Sequence, residues 1–283
     1  MKSGLILFNK QPGVTSFDAL RDIKRALNTG KVGHTGTLDK FAQGLLIVLT
    51  GKALKLSQWF SNCDKKYTGK IHFGIETDTL DPEGNVIAQA EVPSREIAES
   101  VFSRFTGDIL QAPPAYSAIH VNGQRASDLA RSGVVPEMKK RPVTVYKLEL
   151  LSWEPPFAEI YVHCSSGTYI RSLARDIALA AESRAFLCKL ERTQVAGFKL
   201  PENDEKELRP IDKSVIETLG MPWIEVNEQE VEYIKHGKPL APILEGKQLI
   251  SPTVVIFCGE TLVAIAEEDN GKWKYGCVIT EST

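Results

Sequence analysis

Gly30-Lys31-Val32-Gly33-His34-Thr35-Gly36-Thr37-Leu38-Asp39 packs three glycines into ten residues and ends on a carboxylate. Glycine at that density disfavours both helix and strand, so the stretch reads as a loop. An apolar run follows at once, Leu45-Leu46-Ile47-Val48-Leu49. Two readings of Asp39 stand. It is a turn or N-cap aspartate ahead of residues 40–49, or it is a carboxylate that a small-residue loop lets a ligand approach closely. His34 likewise reads as a satisfied loop histidine or as a ligand contact. The stretch has neither the Gly-Lys-Ser/Thr of a phosphate loop nor Gly-x-Gly-x-x-Gly, which disfavours nucleoside triphosphates and dinucleotides.

Before this loop, Phe17, Leu20, Ile23 and Leu27 recur at helical spacing behind Ser16 and before Asn28-Thr29-Gly30, predicting a Ser16-capped helix over 17–28. After it, residues 66–75 and 84–90 alternate as strands around Asp81-Pro82-Glu83-Gly84. Asp78 and Asp81 read there as turn residues, because their spacing does not fit a calcium loop. Ser94 is placed to cap a helix with Ile97, Val101, Phe102 and Phe105 inward, and a polar insert follows at 111–142. Residues 143–151 and 157–164 read as strands, with a helix beginning near Tyr169. The charged, proline-bounded segment 200–210 marks a boundary, beyond which strands at 253–258, 262–266 and 273–279 suggest a small antiparallel module.

Charge is unevenly distributed over the 283 residues. Residues 201–283 carry −8 and residues 1–200 carry +6, within a total of −2. Residues 51–75 alone hold +4, with Lys52, Lys55, Lys65, Lys66 and Lys70 interleaved with Trp59, Phe60, Tyr67 and Phe73. Such a segment is a solvated lysine face over a core strand, or a surface for looped nucleic acid, where ammonium groups meet phosphates and rings stack on bases. The five cysteines lack any Cys-x-x-Cys spacing and the five histidines any His-x-x-x-His pair. Reduced, mostly buried thiols and no metal site are expected. No apolar run approaches the roughly 20 residues of a membrane span, and the N-terminus lacks a signal-peptide core, so a cytoplasmic protein is expected.

Four blocks, in order, resemble the TruB family of tRNA pseudouridine synthases. They are Asn9-Lys10-Gln11-Pro12-Gly13-Val14-Thr15-Ser16; Gly33 to Asp39 with Gly44 and Gly51-Lys52-Ala53-Leu54-Lys55; Asp64-Lys65-Lys66-Tyr67 with Gly74, Thr77-Asp78-Thr79, Asp81 and Gly84; and Cys164-Ser165 followed by Gly167-Thr168-Tyr169-Ile170-Arg171. The likeness covers roughly residues 4–200. Lys40 and Gln43 stand where the family commonly has proline and threonine, and Glu191 where it has arginine.

The resemblance implies an α+β fold, a mixed and mostly antiparallel central sheet with flanking helices, the pseudouridine synthase fold. Residues 1–210 would form the catalytic domain, with an RNA-facing insert at about 111–142. Residues 211–283 would form a small C-terminal PUA-like β domain. The implied activity isomerises uridine-55 in the T loop of tRNA, with no metal and no organic cofactor. Asp39 would be the catalytic carboxylate, paired with Arg171; Tyr67 would stack on the everted uracil; Tyr169 would relay the C5 proton. His34, Lys10, Lys65 and Leu190 would contact the substrate. The partner is the tRNA T stem-loop, with no guide RNA and no membrane, and a monomer is expected. A chain beginning at its first motif resembles the guide-independent bacterial branch. The rival readings are a tRNA-folding chaperone that leaves the base unmodified, and a glycosidase, which would need a second catalytic acid that the sequence does not make evident.

Overall fold

Alternation with period two builds the long strands. In Lys65–Phe73 every other residue is buried, so Lys65, Tyr67, Gly69, Ile71 and Phe73 share the inward face. The computed structural model describes residues 3–202, 207–247, 249 and 251–279. Its strands are β1 (Gly4–Lys10), β2 (Val32–His34), β3 (Gln43–Thr50), β4 (Lys65–Phe73), β5 (Ile75–Thr77), β6 (Val86–Gln89), β7 (Gly107–Gln111), β8 (His120–Val121), β9 (Gln124–Arg125), β10 (Arg141–Glu154), β11 (Phe157–Cys164), β12 (Ala185–Val195) and β13 (Phe198–Lys199). The main sheet runs β1-β3-β12-β4-β11-β10-β7, with β2 added on β3 and β13 on β12. Every pairing in it is antiparallel except β3 with β12, where Gln43 faces Glu191 and Gly44 faces Arg192. Gly44 permits that crossing. Its φ is +102° and a Cβ there would stand 2.5 Å from the Arg192 carbonyl oxygen.

Helices cover the sheet where its faces are apolar. Helix α1 (Ser16–Ala26) buries Leu20 and Ile23 against Ile6, Leu46 and Val48 of β1 and β3. Each such side chain contributes about 1.5–3 kcal/mol of transfer free energy. A connector, 3₁₀ over Gly51–Leu56 and then α2 (Ser57–Ser61), leads from β3 to β4. Helices α3 (Arg95–Ser100) and α5 (Ile170–Ala180) cover the β4-β11-β12 face, with Ala98, Leu173 and Ile177 packed on Ile71, Ile160 and Leu187. Between β9 and β10 lies α4 (Ala126–Arg131), so the polar insert holds a short hairpin and one helix.

Beyond the main sheet, β14 (Trp223–Glu225), β15 (Thr253–Cys258), β16 (Thr261–Asp269) and β17 (Lys272–Val278) form a second sheet in that order. Its Val255, Phe257, Leu262 and Ile265 enter one core with Leu5, Leu49, Leu56, Phe60 and Phe198. Leu5 and Arg209 exchange backbone hydrogen bonds of 2.8 and 2.9 Å, which ties the chain after the boundary segment back to β1. Of that segment, residues 203–206 lie outside the described residues. No helix among the described residues is long and apolar enough to cross a membrane.

Several local expectations change. Thr15, not Ser16, caps α1: its side chain accepts from the Asp18 N–H, while Ser16 Oγ is buried on the Leu38 backbone. Phe17 is 69% exposed, with the Lys24 ammonium over its ring, and Ile97 is 51% exposed. Only Cys164 among the five cysteines is buried; the others are half-buried.

Candidate active site

The glycine-rich loop has little regular structure to hold it, so its backbone is held residue by residue. Thr35 N–H donates to Ile47 O at 3.0 Å, and Thr35 O accepts from Ser61 Oγ at 2.5 Å. Gly36 O accepts from Arg192 Nη2 at 3.0 Å. The Ser16 hydroxyl engages both the N–H and the carbonyl of Leu38, each at 2.9 Å. Past Asp39, the Lys10 ammonium donates to Ala42 O at 2.6 Å, Lys40 O at 3.4 Å and Gln11 O at 3.2 Å. These contacts leave the Asp39 carboxylate 36% exposed at the edge of a cavity.

Arg171 comes from the first turn of α5. The Gln111 side-chain amide brackets the residue before it, donating to Tyr169 O at 3.1 Å and accepting from Tyr169 N–H at 2.8 Å. The guanidinium is 4% exposed and reaches Asp39 side-on, Nε to Oδ2 at 2.8 Å and Nη2 to Oδ1 at 3.1 Å. Its remaining directions are also taken: Nη1 meets Thr79 O at 2.7 Å and Asp81 Oδ2 at 3.2 Å, and Nη2 meets Tyr116 O at 3.0 Å. A planar fork fixed at this many points cannot swing away from Asp39.

Asp81 corrects the sequence reading of a plain turn aspartate and of an Asp39 with no carboxylate neighbour. It is buried, it accepts from Thr79 Oγ1 at 2.6 Å and from Glu83 N–H at 3.0 Å, and its other oxygen is on Arg171. Burial pushes its carboxyl pKa up, against the pull of Thr79 and Arg171. A carboxylate so enclosed serves the guanidinium and is not presented to a substrate as a second acid. The sequence signal was the Thr77-Asp78-Thr79 run before it, but a turn aspartate and a buried ion-pair partner look alike until α5 is folded against the turn.

The cavity, about 480 Å³, is walled by Tyr67, Leu190, Tyr169, Lys65 and Arg192 besides Asp39 and Arg171. Tyr67 is 6% exposed and burial pushes its phenol up to about 12, so it stays protonated and offers a ring face. Burial also raises the Tyr169 phenol. The Lys65 ammonium donates to Ser61 O at 2.9 Å and Cys63 O at 2.6 Å, and burial with the nearby Arg192 charge brings it down to about 8. Arg192 was not among the sequence candidates; it is 2% exposed, with Nε on Leu45 O at 2.8 Å. Its place beside Tyr67 follows from the β12–β4 register.

Two of the residues expected to contact the substrate, His34 and Lys10, do not line this cavity. His34 lines a second cavity of about 630 Å³ that meets the first at Asp39 and Arg171. Lys10 is 0% exposed, and burial lowers its ammonium to about 8. It holds the loop after Asp39 from within and presents no surface to a substrate. The departures at Gln43 and Glu191 touch one another, Gln43 Nε2 donating to Glu191 Oε1 at 2.8 Å across the β3–β12 crossing.

The sequence profile of the TruB family pseudouridylate synthase N-terminal domain matches residues 24–170. The tRNA pseudouridine synthase B of Borreliella burgdorferi (strain ZS7) is 45% identical over 242 residues, 84% of this chain and 86% of that protein. That of Borreliella afzelii is 39% identical over 283 residues, covering 97% and 99%. That of Treponema denticola is 36% identical over 352 residues, covering 98% of each. Among solved structures, a chain in the crystal structure of a Cbf5-Nop10-Gar1 complex matches with TM-score 0.70 and 27% identity over 93% of this chain and 78% of its own length. With the mixed, mostly antiparallel sheet and its C-terminal β region, these likenesses establish that the chain belongs to the TruB family of pseudouridine synthases.

Proposed function

We propose that this chain converts uridine-55 in the T loop of tRNA to pseudouridine, with Asp39 as the carboxylate that acts on the ribose. The observation that carries the reading is the side-on pairing of Arg171 with a partly exposed Asp39 in a cavity walled by Tyr67, Tyr169 and Leu190. The N1–C1′ bond breaks with its electron pair leaving on uracil N1. The base turns, C5 bonds to C1′, the C5 proton departs and N1 takes up a proton. Atoms and charge balance, so the reaction consumes no co-reactant.

Asp39 acts either as a nucleophile at C1′ or as the base that yields a glycal-like intermediate. In both, the guanidinium keeps the carboxylate ionised and aimed. Tyr67 offers its ring to the everted uracil, offsetting an unstacking cost of a few kcal/mol. Tyr169 relays the C5 proton through its hydroxyl, and Leu190 closes the apolar wall that retains the detached base. His34, in the adjoining cavity, supports displaced loop nucleotides. Residues 1–210 make the catalytic domain and residues 211–283 the small β domain of a cytoplasmic monomer that works without a guide RNA. The full-length likeness to synthases named for tRNA supports that choice of substrate.

The test is mass mapping of a T-arm RNA incubated with the purified protein and then tagged at pseudouridine with a carbodiimide. One tag at position 55 is expected; an untagged RNA, or a tag at another uridine, refutes the reading.

Lys65 gives this reading a pH signature. Its ammonium is charged below about 8 and neutral above. Attraction to phosphate is therefore present at pH 7 and lost as pH rises through 8. The Kd for T-arm RNA is expected to weaken about threefold between pH 7 and 9, and Lys65→Arg, which stays charged, to flatten that limb.

A further inference from the structure

The C-terminal sheet carries the acidic part of the chain, a poor match for phosphate, yet it touches the connector between β3 and β4, whose last residue, Ser61, hydrogen-bonds the catalytic loop. On its outer side, the 51–61 connector is gripped by that sheet. Lys55 Nζ donates to Val278 O at 2.8 Å, and a Cβ at Gly276 would stand 2.9 Å from Trp59 Cζ2, so the two surfaces are in close contact there. Leu56 and Phe60 are buried in the same core as Val255, Phe257 and Ile265, and Phe60 also stacks on Phe198 with ring centres 5.9 Å apart.

On its inner side, the connector ends at Ser61. The Ser61 hydroxyl lies 2.5 Å from Thr35 O and 2.8 Å from Ser57 O, and its own carbonyl receives the Lys65 ammonium at 2.9 Å. A hydroxyl has one proton, and the shorter contact takes it to Thr35, four residues before Asp39. Ser61 therefore joins α2 both to the glycine-rich loop and to the start of β4. Glycines give that loop little stiffness of its own, so the position of its carbonyls is decided by their donors.

We infer that Ser61 is a positioning residue for the Asp39 loop, and that the C-terminal sheet acts on the reaction by bracing α2 and, through it, Ser61. This rests on the function proposed above for Asp39. Ser61 touches no reacting atom in this account; it sets where the carboxylate stands. A displacement of a fraction of an ångström at that carboxylate is enough to slow the reaction while leaving RNA binding to the rest of the surface.

The test is single-turnover isomerisation of T-arm RNA by the full chain at saturating protein, with RNA Kd and Tm measured alongside. Ser61→Ala is expected to lower the rate about tenfold with Kd and Tm unchanged, and Ser61→Thr, which keeps the hydroxyl, to restore most of it. Gly276→Ala pushes on Trp59 and is expected to slow the wild-type chain severalfold but to add no further loss to Ser61→Ala, because both act through one contact. An unchanged rate in Ser61→Ala overturns the inference. So does a loss shared equally by rate, Kd and Tm, or a Gly276→Ala effect that simply adds to that of Ser61→Ala. A wild-type chain that makes no pseudouridine at all overturns the proposed function instead.

Discussion

Arg171→Ala is expected to abolish pseudouridine formation and to lower the melting temperature by roughly 10 °C. The guanidinium is 4% exposed and lies between two carboxylates, so its removal strands the buried Asp81 without a counter-charge. Breaking a buried pair from one side costs about 3–5 kcal/mol, and in a chain of this size each kcal/mol moves Tm by about 2–4 °C. The penalty has a definite pH dependence. Burial already raises the Asp81 carboxyl pKa, and losing Arg171 raises it further. The variant's deficit is therefore full where Asp81 must ionise and shrinks as pH falls through that raised value, the opposite of ordinary acid destabilisation. Arg171→Lys returns a charge but not the fork. It is expected to recover about half of the Tm loss while leaving the rate down at least about a hundredfold, because a single ammonium cannot hold Asp39 side-on and also reach Thr79 and Tyr116. Thermal melts from pH 5 to 8, read beside single-turnover rates, check both statements.

Asp39→Asn separates chemistry from binding. The amide is nearly isosteric and keeps a hydrogen-bonding oxygen, but it can neither attack C1′ as an anion nor act as a base. A rate loss of about 10⁴-fold or more, about 5.5 kcal/mol of barrier, is expected, which places the product below detection. The side chain is partly exposed and Arg171 retains Asp81, so Tm changes little and T-arm Kd stays within about threefold of wild type. A chaperone that never modifies its RNA would be indifferent to this substitution. Gel-shift titration and carbodiimide mapping on the same preparation distinguish the two.

Much of the architecture was legible because it is local. Alternation predicted β4, and the runs at 143–151, 157–164, 253–258, 262–266 and 273–279 read as the strands that the fold builds as β10, β11, β15, β16 and β17. What lay outside local reach was pairing across the chain. The parallel contact of β3 with β12 depends on Gly44 and Arg192, 148 residues apart in sequence, and nothing in either segment announces it. The site divides in the same way. Asp39 and Arg171 stand 132 residues apart, and the family resemblance, not spacing, joined them before the fold brought them to 2.8 Å. Residue chemistry alone left Asp39 open between a turn residue and a ligand-facing carboxylate, and the same ambiguity hid Asp81. Lys10 shows the converse: the resemblance made it a substrate contact, whereas its buried ammonium on three carbonyls holds the backbone instead. Ser16 failed as a cap because its hydroxyl serves Leu38, a tertiary partner that sequence cannot display.

A structure of the Asp39→Asn chain bound to T-arm RNA would probe the reaction geometry at its centre. The expected complex has the target uridine turned out of its loop, its C1′ within about 3.5 Å of the residue-39 side chain and its uracil face against Tyr67. A target uridine still stacked in the RNA, or one lodged in a cavity that Asp39 does not line, would contradict it.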